Sequence, residues 1–596
     1  MPEFSNNKLL LRIFPFLLWL KDYRFSFFKS DLVAGITVAL VLIPQSMAYA
    51  ILAGLPPVIG LYTAAITPAI AALWGNLRQL STGPFAILSL LVFTTLSQVA
   101  TPGSQDYFEM AILLTLIIGV INLIIGFFRL SFIVSFTSLS IIKGFTSASA
   151  LIIMSTQLPS LLGVHIEHSQ FFVPTIYKTI LALPNAHLPT LILGISSLAI
   201  IILVRKISTI PSGLIALVIA TVFTGIFRLD LAGIPIVGTI GAGLPSFALP
   251  LFDMHIVTSL IGPALVMVLI SNVETYSIGK TVSLETKQKV DWNREFIGQG
   301  LANVVGSFFG TMPVSGSFAR TAINYKTGAK TALSSVIATV GVIIALLFFT
   351  NLLYYLPNAA LSAMVISAVF FLFHPRQVFK LYKKNRDDGI VAISVFILSL
   401  LIQLDYALLI SVSISLIFFI WKSMHPRIIR VTRALDYKIE INGDELNKPS
   451  CPQIFHIRSD NSIFFVNAEY TVQTIREKVE KQATDATIFF ILDFESVAFV
   501  DITAIEEFRL LKSELEEKGM MMAIMGLHIP VEKVLRSTGF LDEFPPDLIF
   551  DNRNELIPSL FRKLDHNYCT KECPYTLFPC CLKIRNEGIS FLDIEE

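Results

Sequence analysis

Of 596 residues, 54% are apolar and only 15% charged, where an ordinary soluble domain carries about 25% charged residues. Most of this chain is therefore composed for lipid. A net charge of +1 with no sustained basic stretch excludes a nucleic-acid partner, because nothing is present to neutralise phosphates.

The charges are sparse from Asp31 to about Lys422 and dense from Arg427 onward, as in Glu-Lys-Val-Glu-Lys at 477–481. That shift marks a boundary between two solvents. We expect a cytoplasmic N-terminal segment over 1–30, a transmembrane domain over 31–425, a cytoplasmic domain over 435–565 and a cysteine-containing tail over 566–596. The run Leu9 to Leu20 is broken by Arg12 and Pro15 and is followed by no small-residue cleavage site. It reads as an interfacial helix rather than a signal peptide.

A bilayer core needs about 20 apolar residues per helix. Apolar segments fall near 31–51, 58–76, 84–100, 108–128, 131–160, 188–205, 211–227, 255–280, 293–311, 316–326, 331–352, 359–375, 388–404 and 405–422. This predicts about 14 spans, several too short for a full crossing. With the N-terminus inside, Arg78, Arg129, Arg205, Lys206, Lys280, Lys287, Lys289, Lys326, Lys330 and the cluster Arg376 to Arg386 all become cytoplasmic, and the opposite loops hold only Lys178 and Arg228. That segregation follows the positive-inside rule and places both termini in the cytoplasm of a cell-membrane protein.

Two segments resemble interrupted helices. Ser81-Thr82-Gly83-Pro84-Phe85-Ala86 opens one short apolar run and Pro313-Val314-Ser315-Gly316-Ser317-Phe318-Ala319-Arg320 opens another. Each follows a span with an interior polar residue, Gln45 in the first half and Glu274 in the second. Half-helices that begin inside a membrane present unpaired N–H groups and the positive ends of their dipoles. A facing pair forms an anion site. Read singly, Gly83 and Gly316 are helix-packing glycines; the matched pair points to a repeat.

Arg320, one turn into the second short helix, is costly in lipid and so faces a cavity or a partner. It supplements the anion site, or it is paired or snorkelling. Glu274 is a proton carrier, a sodium ligand with Ser271, Asn272 and Thr275 nearby, or half of a fixed ion pair with Arg320. Lys143 reads as snorkelling. Gln45 and Tyr49 share a helix face beside Pro44 and either hydrogen-bond an oxyanion or join helices. No nucleophile–histidine–acid set occurs in the apolar part, which speaks against an enzyme.

Ile43-Pro44-Gln45-Ser46-Met47-Ala48-Tyr49-Ala50 with Leu55-Pro56-Pro57-Val58-Ile59-Gly60-Leu61-Tyr62 resembles the first-helix signature of the SulP-type anion transporters, the sulfate permeases and related solute carriers. Asp291-x-Asn293-x-Glu295, Gly300-Leu301-Ala302-Asn303, Gly306-Ser307-Phe308-Phe309 and Gly316 to Asn324 are similar to that family's segments before and at its tenth helix. The resemblance implies an α-helical 7+7 inverted repeat with a core domain (spans 1–4 and 8–11) and a gate domain (5–7 and 12–14). It also implies a homodimer and an elevator-type mechanism. Carried over, the substrate site comprises Gln45, Tyr49, Gly83, Pro84, Phe85, Ala86, Ser317, Phe318, Ala319 and Arg320, with Glu274 as the coupling-ion residue. Many relatives have Ser where this chain has Ala319, so an oxyanion here must lean on backbone N–H groups. The implied function is proton-coupled symport of a sulfate-, bicarbonate- or dicarboxylate-like anion; the alternative is a sodium-coupled symporter or an uncoupled exchanger or channel. A nucleobase carrier would want acidic residues on both spans 8 and 10, where this chain has Arg320, and a sensor with secondary transport is a further reading that uptake measurements decide.

Beyond the membrane part, Ile454 to Ile457, Ser462 to Val466, Thr487 to Asp493 and Met520 to Met525 read as strands and Ala504 to Lys518 as an amphipathic helix. The pattern is a small α/β unit, similar to the STAS domain that follows the membrane part in this family; a cytoplasmic protein partner is among its implied contacts. Ile502 stands where anti-sigma-factor antagonists carry a phosphorylatable serine after Asp501, so Asp501 or Thr503 reads as a helix N-cap. Cys569, Cys573, Cys580 and Cys581 match no standard zinc spacing. No cofactor or metal is expected, and removing 566–596 is expected to leave transport intact.

Overall fold

The computed structural model describes residues 14–21, 23–136, 138–166, 171–207, 211–241, 243–250, 252–370, 372–373, 375–433, 439–440, 450–578 and 581. It divides into two compact units, Met1–Ser415 and Leu416–Glu596.

Each of the fourteen apolar segments is occupied by a helix, thirteen within the first unit and the last running across its boundary at Ser415. These are α1 Phe25–Leu52, α2 Pro57–Trp74, α3 Ala86–Leu96, α4 Gln105–Phe127, α5 Leu139–Leu162, α6 Leu188–Ile207, α7 Ser212–Ile226, α8 Met254–Thr286, α9 Trp292–Ser307, α10 Phe318–Lys326, α11 Leu333–Phe348, α12 Asn358–Phe370, α13 Arg386–Leu401 and α14 Leu404–Met424. Among the described residues six of them (α1, α2, α4, α5, α6 and α8) are long and apolar enough to cross a membrane unaided. α3 and α10, with 11 and 9 residues, reach only about 16 and 14 Å at 1.5 Å per residue.

The helices sort into two bundles. α4 packs on α9 and α8, α11 on α1 and α2, and α9 on α2; separately, α5 packs on α13 and α12, and α6 on α12 and α7. Spans 1–4 with 8–11 and spans 5–7 with 12–13 thus form the core and gate bundles of an inverted repeat. Without a hydrophobic force between helices in lipid, close backbone approach holds such bundles. α4 and α9 show it: a Cβ on Gly119 would lie 2.6 Å from the Val304 nitrogen, and one on Gly300 would lie 2.8 Å from the Leu123 nitrogen.

The second unit carries a five-stranded sheet. With β1 and β2 reserved for Thr82–Gly83 and Ser315–Gly316, its strands are β3 Ile428–Arg430, β4 Ile454–Ser459, β5 Phe489–Asp493, β6 Met521–Met525 and β7 Ile549–Phe550, in spatial order β3-β4-β5-β6-β7. β3 is antiparallel to β4 and the other pairs are parallel. Alternate residues along the strands supply two cores. Phe455, Ile457, Phe490, Leu492, Met522 and Ile524 pack with α15 Ala468–Gln482, α16 Ile502–Glu517 and α17 Ile529–Ser537. Ile454, Phe489, Ile491, Ala523 and Met525 pack with α18 Arg553–Phe561. Asp501 caps α16, its Oδ1 accepting the Ala504 N–H at 2.9 Å.

Two expectations need correction. Ser462 to Val466 is a loop with a single bridge between Ile463 and Val500. The Asn467 side chain satisfies its backbone instead, accepting from the Phe464 N–H at 2.9 Å and donating to the Ser462 carbonyl at 3.1 Å. The tail is not outside the packed unit. α19 His566–Lys571 is followed by Leu577 and Phe578, which complete the second core. The Gln453 amide stitches it down, donating to the Asp565 carbonyl at 3.0 Å and accepting the Asp565 N–H at 2.8 Å. Deleting 566–596 is therefore expected to destabilise this unit by several kcal/mol, since each buried large apolar side chain removed costs about 2–5 kcal/mol. Limited proteolysis of the truncated protein at 25 °C should cleave within 450–565 well before the full chain does.

Cys569 and Cys573 are buried in that tail, and Cys451 and Cys581 pack against the same core; Cys580 lies outside the described residues. Burial pushes the Cys451 thiol up to about 12 and the Cys569 thiol up to about 11. The fold thus favours the protonated thiols: their contribution is full below their ordinary value near 9 and is lost as pH rises towards 11–12. At pH 8 both should alkylate at least about a hundredfold more slowly than an exposed thiol, measured by iodoacetamide labelling and peptide mass spectrometry.

Candidate functional site

The two interrupted helices meet at their starts. β1 and β2 pair antiparallel, with Thr82 opposite Gly316 and Gly83 opposite Ser315, so α3 and α10 begin on either side of one short crossing. The Ser317 N–H donates to the Ser81 carbonyl at 3.0 Å and the Ser81 N–H to Thr321 Oγ1 at 3.0 Å. Phe85 and Ser317 occupy the N-cap positions, and neither side chain caps its helix. The first ladder bonds are made by the Ser89 and Thr321 N–H groups. The N–H groups of Ala86 to Leu88 and of Phe318 to Arg320 are left outside the ladder, as at any helix start.

Arg320 is fully buried. Its Nη1 donates to the Pro84 carbonyl at 2.9 Å and to Gln45 Oε1 at 3.4 Å, while Nε and Nη2 have no partner. The guanidinium reaches the crossing because Gly83 makes room: φ there is +152°, and a Cβ would lie 3.2 Å from Nη2. Gln45, Tyr49, Gly83, Pro84, Phe85, Ala86 and Ser317 are all buried around it. Ala319 is half-buried and Phe318 is 47% exposed.

Phe318 borders a cavity of about 170 Å³ that is also lined by Glu274, Ile141, Phe145, Thr146 and Leu372. This cavity lies between the two bundles, with Glu274 and Phe318 on one side and α5 on the other. Glu274 Oε2 is buried without a hydrogen-bond partner. No ion pair joins Glu274 to Arg320 among the described residues, so the fixed-pair reading does not hold here. Of the oxygen donors near Glu274 in sequence, Ser271 Oγ donates to the Val268 carbonyl at 3.0 Å, Thr275 Oγ1 bonds Ser315 Oγ at 3.3 Å and Asn272 donates to Asn122 Oδ1 at 2.8 Å.

Sequence reasoning picked out Glu295, Asn303 and Asn324 only as motif residues and missed the splinting role they share with Gln299 and Asp31. Gln299 donates to Thr82 Oγ1 at 2.7 Å, and the Asn303 side chain brackets Val314, accepting its N–H at 2.9 Å and donating to its carbonyl at 3.2 Å. Asn324 donates to the Gln79 carbonyl at 2.9 Å. Two buried carboxylates clamp the approaches: Glu295 accepts the Asn76 and Leu77 N–H groups, each at 2.8 Å, and Asp31 accepts the Lys330 N–H at 2.7 Å and the Thr331 hydroxyl at 2.6 Å. The available signal was a polar side chain inside an apolar helix.

Comparison with known proteins decides the family, because the Sulfate permease family matches residues 28–395 and the STAS domain matches residues 445–556. The chain belongs to the sulfate permease family. Among its relatives, Probable sulfate transporter 4.2 of Arabidopsis thaliana is 32% identical over 549 residues, covering 89% of this chain and 81% of that protein. A probable sulfate transporter of Mycobacterium tuberculosis is 30% identical over 542 residues, covering 90% of this chain and 96% of that protein. The structure of murine Solute Carrier 26 family member A9, described as an anion transporter in the inward-facing state, superposes with a TM-score of 0.83 at 24% identity over 94% of this chain and 96% of that one. That likeness fixes the fold of this family member: a multi-pass helical membrane protein followed by a STAS domain.

Proposed function

We propose that this member of the family is a secondary active transporter that carries a small oxyanion, sulfate first among candidates, by proton-coupled symport. The observation that carries the reading is the fully buried Arg320 with Nε and Nη2 unpartnered beside two facing helix starts. An unpaired buried guanidinium is strongly unfavourable unless a counter-charge visits it. Free helix N–H groups and an arginine fork together suit a tetrahedral or planar oxyanion. Sulfate is favoured over bicarbonate and dicarboxylates by the names of the relatives.

The division into two bundles supports the following cycle. The anion binds at the crossing within the core bundle, against Gln45, Tyr49, Phe85 and the N–H groups near Ala86 and Ala319. Glu274, facing the cavity between bundles, takes up the proton. The core bundle then moves as a body past the gate bundle, an elevator step in which the splinted crossing keeps its shape. Proton coupling is put first because a single proton on the unpartnered Glu274 Oε2 neutralises it, whereas sodium would have to recruit the unpartnered Asn272 Oδ1 and the Ser271 hydroxyl oxygen as well. The expected setting is a homodimer in the cell membrane with the soluble domain, about 435–565, in the cytoplasm and open to a protein partner. Uptake in proteoliposomes tests the reading: sulfate should accumulate with an inward proton gradient and without sodium. Accumulation that needs sodium, or that runs only as exchange against internal anion, selects the alternatives.

A further inference from the structure

Between α12 and α13 the chain forms a separate ten-residue helix, Pro375–Lys384. It packs against α13 and α5, with Val378 only 1% exposed. The approach to α13 is close: a Cβ on Gly389 would fall 2.1 Å from the Tyr382 Cα and 2.6 Å from its nitrogen. The helix is thus seated firmly on the gate bundle, at the edge where two membrane helices end and begin.

Its outer surface is ordered. At about 100° per residue, the buried Val378 and the half-buried Leu381 form the seam against the bundle, and Phe379 and Tyr382 come next around the cylinder. Arg376, Lys380, Lys383 and Lys384 then fill an arc of about 100°. Phe379 is 58% and Tyr382 44% exposed, and all four cations are exposed, as is Arg386 at the start of α13. None of these cations is ion-paired to a carboxylate among the described residues. Buried seam, aromatic border and cationic arc, in that order, is the arrangement of a helix lying in a membrane interface. Aromatic rings suit the headgroup level, and the charge complements anionic headgroups.

We propose that Pro375–Lys384 binds anionic phospholipid: Phe379 and Tyr382 seat at the boundary of headgroup and acyl chain, and the four cations hold the headgroups. A headgroup boundary accounts for the order of rings and cations around the helix, and an acidic protein surface is the competing occupant that the lipid comparison separates. The inference stands apart from the transported substrate, since no residue of the crossing takes part.

The test uses the full chain in a neutral detergent with phosphatidylglycerol or phosphatidylcholine added. Phosphatidylglycerol should raise the thermal midpoint by roughly 5 °C more than phosphatidylcholine, as a ligand of the native state does. The excess should fade between low and high salt. The variant K380Q/K383Q/K384Q should lose most of that excess and bind phosphatidylglycerol roughly tenfold to a hundredfold more weakly in native mass spectrometry. K287Q/K289Q, on another charged loop, should keep both. Equal effects of the two lipids on the wild-type protein would mean that the helix is covered by protein instead and would overturn the proposal. So would a triple variant that retains the full excess, or a K287Q/K289Q variant that loses it equally.

Discussion

Arg320→Ala is expected to weaken sulfate binding by about thirtyfold or more while leaving the protein folded and monodisperse. Losing a charge-assisted partner in a buried site costs about 2–5 kcal/mol, and each 1.4 kcal/mol is tenfold. The fold should survive because the guanidinium anchors only the Pro84 carbonyl and Gln45 Oε1. The crossing keeps its strand pairing and its Gln299 and Asn303 splints. Arg320→Lys is a sharper probe. A lysine keeps the charge but has no fork, so it should recover part of the affinity if charge dominates and almost none if two-point geometry does. Sulfate affinity measured by scintillation proximity, with size-exclusion profiles beside it, reads both variants. Wild-type affinity in Arg320→Ala would place the anion elsewhere.

How far the sequence foretold this site depends on the range of each interaction. The two crossing segments were legible because their signal is local: a glycine, a proline and small hydroxyl residues where an apolar helix should have run on. Their meeting as β1 and β2 was implied by the repeat. The clamps were not legible. Glu295 bonds backbone 219 and 218 residues away, and Asp31 bonds backbone 299 and 300 residues away, and nothing near them in sequence names the partner. The soluble unit shows the same contrast. Strands with strict alternation over two cores, such as Ile454 to Ile457, were read correctly. Ser462 to Val466 has the same β-rich composition, yet Asn467 turns it into a loop. The packing of the tail was not legible because Leu577 and Phe578 sit in no periodic apolar pattern, and the sheet face they cover is formed by strands far earlier in the chain.

Glu274→Gln is expected to bind and exchange sulfate but to lose accumulation driven by a pH gradient. An ionised carboxylate at this depth is unfavourable by several kcal/mol unless something neutralises it. Pairing with Arg320 is not the means, since no ion pair joins them. A proton neutralises Glu274 by itself, whereas sodium would need Asn272 Oδ1 and Ser271 Oγ as further ligands. An anion at the crossing cancels the field of Arg320, which otherwise favours the ionised carboxylate, so anion and proton strengthen each other's binding. That linkage is reciprocal: acidification must tighten sulfate binding by the same factor that sulfate raises proton affinity. Glutamine mimics the protonated side chain and cannot release a proton. The variant should therefore bind sulfate with an affinity that no longer varies with pH, close to the wild-type value in acid. It should also equilibrate labelled sulfate across proteoliposomes at equal internal and external concentrations. In sodium-free buffer with the interior more alkaline, wild-type vesicles should concentrate sulfate severalfold and variant vesicles should stop at equilibrium. If the variant concentrates sulfate as the wild type does, the proton travels on another group. If it neither binds nor exchanges sulfate, Glu274 belongs to the anion site itself and not to the coupling.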